Sequence, residues 1–236
     1  MNILHYIKLM KNPKEFIRQV IIKLFIFKIK KNSKFQNKDN FSVRNYKNYN
    51  VYIKHQKSKF ILYRDEFAKG FDEKVIMLKN NFIKIDDFSK QNVLCLGSRD
   101  GAEVKAFRDL GALCIGIDLV YPKNSEYVHY GDFHKIPYPD GLFDFVFTNV
   151  LDHMYDPKLL FSEIKRVMKN DSIFIAGIIK GYEEGYDLKG EHESYVWADK
   201  ESLRNLVKKN GFDFIKEIQL EQSELWSNNL FKLSEL

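Results

Sequence analysis

The sequence predicts an α/β fold, a mostly parallel sheet with helices on both faces, and three observations carry that expectation. From Asn92 onward, short apolar runs of strand length alternate with amphipathic segments of helix length. Strand and helix alternate through most of this region, and a parallel sheet covered on both sides is the packing such an order favours. With 236 residues, 44% of them hydrophobic, the chain can bury a real core, and its length favours one domain with an appendage over two full domains.

Taken in order, Pro13 after Asn12 opens a helix over residues 13 to 31, PKEFIRQVIIKLFIFKIKK. Residues 32 to 59, rich in Asn and Lys, read as an irregular linker or weak strands. Residues 60 to 90 read as mainly helical, with Phe67, Phe71, Val75, Ile76 and Leu78 on an apolar side. The segments NVLCLG, AEVKAFRDLG, ALCIGIDL and a brief strand near Tyr127 to Tyr130 then give β, α, β, β. After them come the strand FDFVFTN, the helix PKLLFSEIKRVMKN, the strand SIFIAGII, the helix KESLRNLVKKNG and the strand FDFIKEIQL. The closing NNLFKLSEL follows so closely that antiparallel pairing is the easier geometry, which makes seven strands with one reversed. We divide the chain into a basic N-terminal extension, residues 1–60 (helix plus linker), and an α/β domain, residues 61–236.

Charge is distributed unevenly. Residues 1 to 60 hold 15 Lys and Arg against 2 acids, a head of +13 on a body of −7. Such asymmetry marks contact with an anionic surface, lipid or nucleic acid, although compositional bias toward Lys and Asn would produce the same pattern. On a helical wheel, Lys14, Arg18, Lys23, Lys28 and Lys30 spread widely, which weakens the case for an interfacial membrane helix. The opening MNILHYIKLM is too short an apolar run for a secretory signal, and no stretch reaches eighteen uninterrupted apolar residues. Cys95 and Cys114, both in apolar segments, cannot make a disulfide framework. The expected setting is cytoplasmic, with contact at the inner face of the membrane as an option.

Chemistry is expected at the turn Leu96-Gly97-Ser98-Arg99-Asp100-Gly101, where permissive torsions and unpaired N–H groups let a ligand approach. Seventeen residues beyond Gly101, Asp118 ends the next strand, where a carboxylate can accept hydrogen bonds from a ribose diol. A dinucleotide fingerprint would need glycines at Arg99 and Ala102, so the turn suits a mononucleoside ligand better.

The segments VLCLGSRDG, GIDL, GDFHKIPYPDGLFDFVFTNVLDHMYDP and KNGF resemble the motif series of class I S-adenosylmethionine-dependent methyltransferases, over about residues 91 to 220. TNVLDHMYDP in particular resembles the methyltransferase type 11 group. The resemblance implies a Rossmann-like sheet ordered 3-2-1-4-5-7-6 with strand 7 antiparallel, and S-adenosyl-L-methionine as cofactor. It implies further that Gly97, Ser98 and Gly101 line the methionine and ribose part, Asp118 binds the ribose hydroxyls, and Leu119 covers one adenine face. Asp132 would meet the adenine amino group, Phe133 would contact adenine, and Asn149 with Val150 would border the methionine moiety. Two departures stand out: Cys95 where the family usually carries an acid, and Arg99 in place of the middle glycine. Asp100 could supply the missing charge or simply cap the following helix.

Methyl transfer to oxygen or nitrogen relies heavily on positioning, and a base helps when the acceptor is a hydroxyl. The candidates are Asp152, His153, His134 and His192, with His153 favoured beside the fourth strand. The signatures of amino-base and cytosine methylation are lacking, which disfavours DNA. The acidic, aromatic stretch Gly181 to Trp197 reads as a lid, and its adjacent Glu191, His192 and Glu193 are poorly spaced for one metal ion. The expected activity is methylation of a small molecule or a glycan- or lipid-linked acceptor. The alternatives are an RNA-binding methyltransferase gripping its substrate through the basic head, and a non-catalytic scaffold retaining the fold.

Overall fold

The computed structural model describes residues 12–67, 70–121, 125–186 and 189–235. The segment read for export, residues 1–10, lies outside them. A helix α1 (Pro13–Asn32) is followed by a hairpin, β1 (Phe35–Lys38) and β2 (Phe41–Arg44), and by helices α2 (Tyr49–Phe67) and α3 (Phe71–Phe82). The alternating part runs β3 (Asn92–Leu96), α4 (Ala102–Asp109), β4 (Leu113–Asp118), β5 (Val128–Tyr130) and β6 (Phe143–Thr148). It continues through a 3-10 turn (Leu151–His153), α5 (Pro157–Val167), β7 (Met168–Ile179), a second 3-10 turn (Tyr182–Glu184), β8 (Tyr195–Trp197), α6 (Lys200–Lys209), β9 (Phe212–Gln219) and β10 (Trp226–Leu233).

Seven strands form one sheet in the order β5-β4-β3-β6-β7-β10-β9. The first five are parallel, and β10 runs antiparallel to both β7 and β9. This is the order 3-2-1-4-5-7-6 with its last strand reversed, as expected. Because side chains alternate across a strand, β3 feeds two cores. Leu94 and Leu96 face Phe161, Ile164 and Leu203 from α5 and α6, whereas Val93 and Cys95 face Phe82 and Phe107 from α3 and α4. The rings of Phe82 and Phe107 stack at 4.0 Å.

Local chemistry explains the helix starts. Asp156 caps α5 by accepting the Leu159 N–H, with Pro157 in the first turn, and Asp199 caps α6 by accepting the Ser202 N–H. The helix expected to run to Asn170 instead ends at Val167, because sheet pairing captures Met168 opposite Phe143. Of the apolar side read for residues 60–90, Val75 and Leu78 are buried, whereas Ile76 is 60% exposed. Cys95 and Cys114 are free thiols buried on adjacent strands.

The stretch expected as linker or weak strands holds more structure than that. The hairpin turns at Asp39, whose φ of 50° suits an Asx residue in a tight turn. Its strand β2 pairs with β8, making a second sheet ordered β1-β2-β8. The buried Arg44 guanidinium donates to the carbonyls of Glu193 and Gly190 and to that of Ser33, tying the hairpin to the loop before β8. Helix α2 begins at Tyr49 and passes through residue 60, so head and body share one element. Among the described residues, no helix is long and apolar enough to cross a membrane.

Candidate active site

The carboxyl ends of β3, β4 and β6 open on one cleft, where open parallel sheets place ligands. Gly97 leaves β3 with φ 73°, and a Cβ there would stand 2.4 Å from Val150 Cγ2, so only glycine fits both the torsion and the space. Its neighbour Arg99 is also left-handed, at φ 45°. That geometry turns the Arg99 N–H to Asp118 Oδ2 at 2.9 Å, while the Val120 N–H donates to Asp118 Oδ1 at 2.8 Å. Burial pushes the Asp118 carboxyl above its ordinary value, and these two N–H groups pull the other way. The loop thus fixes the orientation of a carboxylate on the cleft wall.

Gly97, Asp118, Leu119, Val120, Phe133 and Val150 line the cleft from the sheet side. Tyr52, Gln56 and Lys59 line it from α2. The empty space, with the open mouth included, is about 570 Å3. A polar annex continues past Arg99 to Ser98, Asn149, Asp152 and His153.

Lys59, Asp152 and the buried His153 form a polar group at this end. Lys59 Nζ lies 2.7 Å from His153 Nε2, and His153 Nδ1 lies 3.2 Å from the His192 carbonyl. An ammonium or amine donating to Nε2 leaves the proton of a neutral imidazole on Nδ1, pointing at that carbonyl. Burial, and then the charge of Lys59, pull His153 down to about 3. Burial pushes Asp152 up to about 6, opposed by Lys59. Lys59 is itself lowered, by burial first and with Arg99 adding to it, while Asp152 acts in the opposite sense. Asp152, His153 and Glu193 offer ligand atoms within 4.8 Å of one another, and Lys59 Nζ already meets His153 Nε2 at 2.7 Å. Glu191, His192 and Glu193 do not converge among themselves: the His192 ring stacks on His55.

The two buried groups act oppositely on stability. His153 in the fold resists protonation to about 3 against an ordinary 6.5, so the stability it contributes is present above pH 6.5 and lost as pH falls toward 3. Asp152 contributes stability below its ordinary 3.8 that is lost as pH rises through about 6. In urea melts taken at pH 6.5 and two units lower, His153→Gln is expected to lose about 2 kcal/mol less than wild type over that interval. An unchanged acid slope would show that His153 titrates normally.

Residues 94–176 match the profile of a family described as a methyltransferase domain. A curated but uncharacterized protein of Methanocaldococcus jannaschii is 28% identical over 175 residues, 68% of this chain and 83% of that one. The solved 1,6-didemethyltoxoflavin-N1-methyltransferase of Burkholderia thailandensis, with bound 1,6-didemethyltoxoflavin and S-adenosylhomocysteine, superposes with a TM-score of 0.61. It is 14% identical and covers 86% of this chain and 100% of its own. A SAM-dependent methyltransferase from Aquifex aeolicus gives 0.56 at 16% identity, over 71% and 96% of the two chains. The chain has the fold of these methyltransferases.

Within this methyltransferase fold, Gly97, Asp118, Leu119, Phe133 and Val150 gather in the main cleft, and Ser98, Asn149, Asp152 and His153 around its annex. His153 reaches both. Gly101 stays behind the turn as the left-handed N-cap of α4, where a Cβ would meet Val128 Cγ2 at 2.9 Å. Asp132 is not in the cleft wall: Tyr49 donates its hydroxyl to one oxygen, and the His134 N–H reaches the other. His134 Nε2 accepts the Tyr155 and Asp156 N–H groups, which spends this imidazole on structure. Asp100 accepts the Ala102 N–H and pairs with Lys74, serving the helix start. Tyr52, Gln56 and Lys59 are additions that sequence reasoning missed. Their helical spacing with Tyr49 was the available signal, obscured by the Asn- and Lys-rich surroundings.

Proposed function

We propose that this methyltransferase uses S-adenosylmethionine to methylate a small molecule or a glycan- or lipid-linked acceptor. The observation that carries the reading is the meeting, in one cleft, of a side-chain-free turn at Gly97, the oriented Asp118 carboxylate, and the apolar walls Leu119, Val120, Phe133 and Val150. That donor set fits a nucleoside: a carboxylate for a diol and a flat apolar slot for a base. Gly97, Ser98 and Gly101 form the turn that admits it, Asp118 holds the ribose hydroxyls, and Leu119 and Phe133 flank the adenine. Asn149 and Val150 border the methionine part, and Asp132 reaches the adenine edge once Tyr49 turns away.

When bound, the cofactor supplies an electrophilic methyl group on a sulfonium. The protein's part is to place the acceptor in line and to remove its proton. Lys59 as a neutral amine accepts that proton at Nζ, and His153 holds it by accepting one of its N–H groups. Asp152 sits within reach to favour the ammonium that results. The roof of Tyr52 and Gln56 suits a small acceptor or the end of a longer one better than a duplex. In the same reading the basic head, residues 1–60, holds the enzyme at an anionic membrane face, where lipid-linked acceptors are found.

Calorimetric titration with S-adenosylmethionine and S-adenosylhomocysteine tests the cofactor without knowledge of the acceptor. Saturable binding of both is expected. No heat at millimolar ligand would turn the assignment toward a non-catalytic scaffold.

A further inference from the structure

Helix α1 is apolar on two sides. One side packs on the protein: Ile26, Ile29 and Gln19 are buried, and Ile29 with Phe25 meets Tyr46, Tyr49 and Tyr52 around α2. The other side faces outward, with Ile17 57%, Val20 39%, Ile21 60%, Leu24 63% and Phe27 67% exposed. At 3.6 residues per turn these five fall within an arc of roughly 120°. Lys14, Arg18, Lys23, Lys28 and Lys31, all exposed, surround the stripe, and Glu15 is the helix's single acid. Two apolar sides, one inward and one outward, also explain why no polar face emerges on the wheel.

Isolated apolar residues on a surface need no explanation, but five adjacent ones along one helix in a basic setting do. We propose that the outward side of α1 is a membrane-docking face, which inserts its apolar stripe among the acyl chains of an anionic phospholipid bilayer while its lysines and Arg18 meet the headgroups. This deepens the membrane reading of the head given above and does not depend on methyl transfer. Charge complementarity decides the occupant. A second copy docked through the same face would bring its lysines against these lysines in an isologous interface, and the helix has one acid against its many cations. Nucleic acid would use the cations but leave the stripe in water, since four of its five residues are aliphatic and have no ring for bases to stack upon. An anionic bilayer satisfies both components at once. It would also bring the cleft near the membrane, because α1 lies on α2, and α2 carries Tyr52, Gln56 and Lys59.

The test is flotation of the full chain with phosphatidylcholine vesicles made with or without phosphatidylglycerol, at low salt. Wild type is expected to float with the anionic vesicles only. Ile21→Ser, Leu24→Ser and Phe27→Ser combined keep every charge and are expected to lower partitioning roughly tenfold or more. Lys23→Gln, Lys28→Gln and Lys31→Gln combined should flatten its salt dependence. The exposed positions leave the fold alone, which thermal melts verify. Failure of wild type to float, or equal flotation of the serine variant, would overturn the proposal. A wild-type dimer in sedimentation velocity that the serine variant dissociates would do the same, in favour of a second copy. S-adenosylhomocysteine titration on the same preparations reads the methyltransferase assignment separately.

Discussion

Lys59→Met lowers kcat roughly 100-fold or more, the scale of a lost general base, while S-adenosylhomocysteine affinity stays near wild type. Methionine keeps the length and the apolar stem of the side chain in the roof but offers no lone pair for the acceptor's proton. A positive charge alone is distinguished by Lys59→Arg, which retains the cation and a donor for His153 but cannot lose a proton at usable pH. Rates for the arginine variant should stay low. If arginine restores turnover, Lys59 acts by charge and the proton goes elsewhere. The pH profile gives a second view: wild-type kcat rises as Lys59 deprotonates, below the usual lysine range because burial and Arg99 disfavour its ammonium, and the methionine variant loses that limb. A cationic ligand in the same cleft pushes Lys59 further toward the amine.

Asp118→Ala is the second large effect, and it acts on binding. The carboxylate is held by the N–H groups of Arg99 and Val120 and retains further lone pairs toward the cleft. Hydrogen bonds to a charged group contribute about 1.5–3 kcal/mol each, so losing a diol's two bonds weakens S-adenosylhomocysteine by roughly 100-fold or more. Alanine also removes what stabilises the left-handed Arg99, and part of the loss reflects a relaxed turn. Asp118→Asn keeps an acceptor and should fall between the two. Affinity unchanged in Asp118→Ala by calorimetry would move the ribose elsewhere.

The sheet was legible because its instructions are local. Val93 to Leu96 and Phe143 to Thr148 are nearly continuous apolar runs, and the capping Asp156 and Asp199 announce the helices after them. The turn at Gly97 and the acid at Asp118 were legible for the same reason, since each sits at a strand end with a fixed place in the alternation. What escaped depends on pairing across long separations. Nothing near Phe41 announces Trp197 as its partner, and nothing near Lys59 announces His153. Asp132 shows the same limit inside the site, because its occupation by Tyr49 follows from a helix that composition disguised as a linker. Helix α1 was placed correctly, yet only its packing separates the residues that face α2 from those that face outward.

The bond between Arg44 and Glu193 spans 149 positions, and the strands beside it, β2 and β8, are as far apart. At ribosomal rates the hairpin therefore emerges on the order of ten seconds before its partner exists. The central strands can pair meanwhile, and Tyr49 and Lys59 can dock α2 on Asp132 and His153, but the hairpin has no strand to pair with. The second sheet therefore closes late, and a polypeptide stalled short of β8 would carry β1 and β2 as a hairpin with an unpaired edge. Refolding from denaturant should show the same order, with the β2–β8 pairing forming after the central parallel strands.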